Sequence, residues 1–161
     1  VIYPVIEDCD TFYFETETQN KISVIFNDLT SQFEANFPIF CVDIYRVESS
    51  LLPNNHVNDI SGSNTRDTIV SIIRNFLDKF DSALVAFIDT STDSKGRARH
   101  RLFQSWFRMY GENEFSITPR EIFFSETESY SFLIIRKSYA NADSIIEVFD
   151  NFIKLANEAE D

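Results

Sequence analysis

The chain predicts an α+β domain built on a mixed, largely antiparallel sheet, in the order β-β-β-α-β-α-β-β-α. Three observations carry this. Several short segments alternate apolar with polar residues, as strands with one buried face do. Two longer segments repeat apolar residues at helical spacing along one stripe, and a third divides into an aromatic and a basic side. No internal repeat, low-complexity tract or long linker interrupts the sequence, so residues 1–161 are expected to form a single domain. At this length, with 43% hydrophobic residues, the chain can bury about two thirds of the surface its unfolded form exposes and needs no staples to fold.

Taken in order, Thr11 to Thr16 alternates through Phe12 and Phe14, and Lys21 to Phe26 alternates through Ile22, Val24 and Phe26. The polar link between them makes an antiparallel hairpin. Ile39 to Val47 alternates again, with Phe40, Val42 and Ile44 on one face and Asp43 and Tyr45 on the other, and is the third strand. Leu51 to Asn64 gathers Pro, Asn, Ser and Gly and reads as the longest loop. Asn64 or Thr65 then caps a helix whose stripe is Ile69, Ile72, Ile73, Phe76, Leu77 and Phe80.

Ala83 to Ile88 is continuously apolar, which suits a central strand covered on both faces, and it ends at Asp89. The next helix sets Leu102, Phe103, Trp106, Phe107 and Tyr110 against Arg97, Arg101, Gln104 and Arg108. Phe115 to Phe124, broken by Pro119, and Tyr130 to Arg136 are two further strands. Asn141 caps a last helix with the stripe Ala142, Ile145, Ile146, Phe149, Phe152, Ile153 and Ala156. The first and last helices are expected to share one sheet face, with the basic helix nearer a margin.

Charge is separated along the chain. Ser94 to Gly111 carries five of the fourteen Lys and Arg residues and no acid, in a protein of net charge −12, so the remainder carries −17. An acidic body repels phosphate, which excludes broad coating of nucleic acid and leaves room only for a local polyanion contact. Two cysteines, Cys9 and Cys41, and two histidines, His56 and His100, offer neither a disulfide framework nor a zinc spacing. With three glycines and no glycine-rich phosphate loop, no cofactor is expected. The opening VIYPVIEDCD lacks a basic n-region, and no apolar run nears the ~20 residues of a membrane span, so the simplest setting is a reduced cytoplasm without membrane attachment.

The strand-turn-helix from Ala83 to Tyr110 is where chemistry is best sought, because ligand sites of α/β sheets gather at strand carboxyl ends and helix N-termini. Here Lys95, Arg97, Arg101, Gln104 and Arg108 would meet an acidic protein surface or a phosphate-bearing ligand, the arginines gripping oxygens in bidentate fashion. The plainer alternative is a solvated basic face whose start is neutralised by Asp89 or Asp93. Arg99 turns towards the apolar side and is placed to pair with Asp89. Asp89 and Asp93, with Glu112 or Glu114, also have the types for a divalent metal in a phosphodiesterase or nuclease, the second functional reading. Asp89-Thr90-Ser91 matches the aspartic-protease signature over three residues only. Cys9 with His56, or Ser105 with His100, have nucleophile and base but no surrounding motif. Trp106 and Phe107 lie opposite the arginines, so they read as core and not as stacking platforms for bases. The acidic residues Glu7, Asp8, Asp10, Glu15 and Glu17 at one end, and Glu158, Glu160 and Asp161 at the other, would serve either solubility or imitation of nucleic acid.

The helix TRDTIVSIIRNFL, the strand ALVAFIDTSTD and the arginine-rich helix with RLFQSWF resemble a family of small proteins of Bacteroidota with no assigned activity. In that family, too, a strand ending in Asp leads to an Arg-rich helix with a Phe-x-x-Trp-Phe/Tyr pattern, here Phe103, Trp106 and Phe107. The resemblance is specific at Ile69 to Phe107 and implies an α+β fold and a bacterial cytoplasmic origin. It implies no reaction. Phage-defence and genome-island settings fit such a family.

Overall fold

The structure, a computed structural model, describes residues 2–47, 63–89, 96–111, 114–124 and 127–158. The elements are β1 (Ile6–Asp8), β2 (Thr11–Glu15), β3 (Lys21–Asp28), β4 (Ile39–Val47), α1 (Ser63–Lys79), β5 (Ala83–Asp89), α2 (Gly96–Gly111), β6 (Phe115–Phe124), β7 (Thr127–Arg136) and α3 (Ala142–Glu158). The strands form a mixed, mostly antiparallel sheet in the order β1-β2-β3-β4-β5-β7-β6. The fold class is the one patterning predicts, with one strand added in front.

That strand, β1, pairs antiparallel with β2 from Ile6↔Tyr13 to Asp8↔Thr11 while all three of its side chains are exposed. Its backbone pairs with β2 while its side chains face solvent, so the sequence shows no apolar alternation there. With so few glycines, turns here use other residues in the left-handed region: Cys9 (φ 54°), Gln19 (φ 65°) and Glu34 (φ 53°).

The chain divides into two compact units, Val1–Asn27 with Val42–Phe80, and Asp28–Cys41 with Asp81–Asp161. In the first, β2 and β3 form the expected hairpin, in register from Thr11↔Ile25 to Glu15↔Lys21. Phe14, Ile22, Val24 and Phe26 are buried together with the α1 stripe Ile69, Ile72, Ile73, Phe76 and Leu77. The Phe26 and Phe76 rings stack at 3.9 Å. Phe80, which the stripe would also bury, lies past the end of α1 and is half exposed. The helix begins at Ser63, so Asn64 and Thr65 are in its first turn and not at its cap. Asn64 instead donates its side-chain amide to Glu17, and its carbonyl accepts from the buried Thr68 hydroxyl.

In the second unit, Ile39–Cys41 of β4 runs parallel to Ala83–Val85 of β5, and β5 pairs antiparallel with β7 from Leu84↔Ile134 to Asp89↔Ser129. Ile39 and Cys41 are as buried as Val42, so β4 is covered on both sides where alternation predicted one. Central strands lie between layers. β6 continues unbroken through Pro119, which pairs with Phe132, because an edge strand turns half its N–H groups away from the sheet and tolerates a missing donor.

Successive side chains of β7 point to opposite faces. Leu133 and Ile135 join Ile39, Val85, Ile122 and the α3 residues Ile145, Phe149 and Ile153 in one core cluster. Phe132, one residue out of phase, meets Phe103 and Phe107 of α2. Helices α2 and α3 therefore cover opposite faces of this part of the sheet. The basic helix packs on β5, β7 and β6, the last three strands at one edge of the sheet, and its aromatic stripe is buried there, with Trp106 and Phe107 each only 2% exposed. Asn141 precedes α3 as expected, its carbonyl accepting from the Ile145 amide. Among the described residues no helix is long and apolar enough to cross a membrane.

Candidate functional site

β5 ends at Asp89, and α2 starts at Gly96 with Arg97 in its first turn. Lys95 and Asp93 lie outside the described residues, as do Glu112 and His56, and so do the side chains of Asp89, Arg97 and Arg99. What is described of α2 has two sharply different sides. Ala98, Arg101, Ser105, Arg108 and Met109 are exposed. Arg101 and Arg108 are seven residues apart, about two turns and roughly 10 Å along one face. Helix α2 has no acid in its first turn and Arg108 in its last, where a cation suits the negative end of the helix dipole.

The inner side is an aromatic seat. His100 lies flat on Tyr130 of β7, with ring centroids 4.8 Å apart and planes 26° from parallel, and 5.9 Å from Phe132. Phe103 and Phe107 flank Phe132 at 6.3 and 6.4 Å, and Phe103 meets Trp106 edge-on at 4.7 Å. The buried Trp106 and Phe107 offer no platform to a base.

Gln104 is the residue placed differently from expectation. It is half-buried at the border of the two sides, and its Nε2 lies 2.8 Å from Nε2 of His100. With the amide N–H₂ turned to the ring, Nε2 of the imidazole accepts and the ring proton sits on Nδ1, which has no hydrogen-bond partner among the described residues. Burial pulls the His100 pKa below the usual histidine value, and the nearby Glu121 carboxylate acts the other way. His100 was legible in principle: it precedes Phe103 by three positions and Phe107 by seven, and so falls on the aromatic stripe.

Ser105 and His100 do not form a nucleophile–base pair, because the Ser105 hydroxyl donates to the Leu102 carbonyl at 2.7 Å and His100 faces Gln104. Among the described residues no three His, Cys, Asp or Glu side chains cluster as a metal site requires. Glu7, Asp8, Asp10, Glu15 and Glu17 are all exposed, as is Glu158, while Glu160 and Asp161 are outside the described residues.

The fold and this site define a small α+β protein with a basic helix seated by aromatic residues on a sheet. Residues 61–151 match the model of a family of unknown function (DUF6169), and the chain belongs to that family. The match runs from α1 through most of α3 and contains the whole of α2. No curated protein and no solved structure matches the chain.

Proposed function

We propose that this protein is a non-enzymatic interaction module that uses the outer face of α2 to contact an acidic protein surface or a phosphate-bearing ligand. The observation that carries the reading is the pair Arg101 and Arg108, exposed on the side of α2 opposite the buried Trp106 and Phe107, on a helix without acids in a protein of net charge −12. A surface of one sign on a body of the other orients an incoming partner and raises its rate of encounter. Lys95 and Arg97 extend the same contact in this reading, with Gln104 at its inner border, and the protein belongs in a bacterial cytoplasm, in a defence or mobile-element setting.

The test is quantitative co-purification from the native host at two salt concentrations, wild type against the triple variant Arg97→Glu, Arg101→Glu and Arg108→Glu. The wild type should capture a partner that weakens as salt rises, since exposed charges are screened beyond about 10 Å at 0.1 M. The variant should capture it many-fold less while folding normally. Equal capture by both proteins would show that the basic face is only solvated.

A further inference from the structure

We propose that His100 is a pH-sensitive latch that seats α2 on the sheet when its ring is neutral and loosens the helix when the ring gains a second proton. The inference concerns the seating of α2 and holds whether or not the outer face of that helix binds a partner. His100 is 8% exposed and its ring lies on Tyr130, in a wall completed by Phe132. The neutral ring suits this place, since one nitrogen accepts from Gln104 and the flat aromatic surface packs on another.

A second proton would go to Nε2, the atom that now accepts from Gln104, and the Gln104 amide would have to turn over to meet it with Oε1. The charge would still be buried, with no partner for Nδ1 among the described residues, and a buried charge short of hydrogen bonds is strongly disfavoured. Lifting the turn of α2 that carries the ring off Tyr130 returns the charge to water.

The surrounding groups set the balance. On α2 the described cations, Arg101 and Arg108, are both exposed. On β7 the ring meets Tyr130, and on β6 the exposed Glu121 stands opposite Tyr130 in register and favours the imidazolium. On β5, Ile88 pairs with Tyr130, and Asp89 ends the strand one residue further on. Burial outweighs Glu121, so the folded-state pKa lies below the unfolded value. A group depressed in this way contributes its stabilisation fully above the unfolded pKa, about 6.5 for histidine. It loses that contribution as pH falls from there through the folded-state value. Within this window the opening equilibrium of α2 rises by up to about tenfold per pH unit.

The experiment is an NMR titration of the two histidines with hydrogen-exchange protection measured at pH 7.5 and 5.5, in wild type, His100→Phe and Glu121→Gln. His56→Gln assigns the resonances. His100 is expected to titrate below 6.5, and lower still in Glu121→Gln. Protection of the α2 amides should fall at pH 5.5 relative to α3, which lies on the other sheet face and carries no histidine. In His100→Phe, which keeps the stack without a titrating group, the selective loss should vanish. A His100 pKa at or above 6.5, or equal α2 protection at both pH values, would overturn the proposal. The wild-type titration decides even if His100→Phe fails to fold.

Discussion

Truncating Phe76 to alanine tests the register of α1 and the packing of the first unit together. The side chain is 6% exposed, its ring stacks on Phe26 at 3.9 Å within 1° of parallel, and it lies 5.0 Å from Phe80. Removing the ring forfeits the transfer free energy of a buried aromatic, about 2–3 kcal/mol. It also leaves a hole between α1 and β3 that Ile73 and Leu77 can fill only in part, since both are already buried in place. Together these give a loss of about 3–5 kcal/mol, against a total stability of roughly 5–15 kcal/mol. At about 2–4 °C per kcal/mol for a chain of this size, Tm should fall by roughly 6–20 °C. Urea unfolding followed by circular dichroism measures it, with Phe76→Leu as a milder control and a Phe26→Leu/Phe76→Leu double-mutant cycle isolating the ring pair. A loss under about 1 kcal/mol in Phe76→Ala would place the ring at the surface and undo the assigned packing.

Two further outcomes follow from individual contacts. Arg120 holds Asp150 through Nε at 2.6 Å and a second nitrogen at 3.2 Å, and this hydrogen bonding raises the arginine's pKa. Both side chains are about two-fifths exposed, so Asp150→Asn should cost only about 0.2–1 kcal/mol, a difference that shrinks in high salt; a loss beyond 2 kcal/mol would mean the pair is effectively buried. The Thr68 hydroxyl donates to the Asn64 carbonyl and accepts from the Tyr3 amide. Thr68→Val should cost about 1–3 kcal/mol and strip exchange protection from Tyr3, and a protected Tyr3 amide in that variant would refute the contact.

Periodicity determined most of the elements because it reports burial directly. The stripe Ile69 to Leu77, the alternation of β2 and β3, and the stripe Ile145 to Ile153 each follow from one face being dry, and the folded chain buries those faces. The split of α2 into an aromatic and a basic side was visible for the same reason, and Arg101 and Arg108 are exposed as that split requires. Only tertiary structure decided the rest. β1 exists because β2 offers it a backbone edge, and no side-chain pattern records that. Pro119 does not interrupt β6 because β6 is the outermost strand, a position set by the pairing of β7 with β5. The sheet face that α2 covers depends on which side of β7 carries Phe132, and a helix's own sequence cannot specify it. His100 and Gln104 change meaning for the same reason: at helical spacing one is a lone histidine and the other a polar neighbour of the arginines. Tyr130 turns them into a buried ring and its hydrogen-bond donor by closing over the imidazole from a strand thirty positions away.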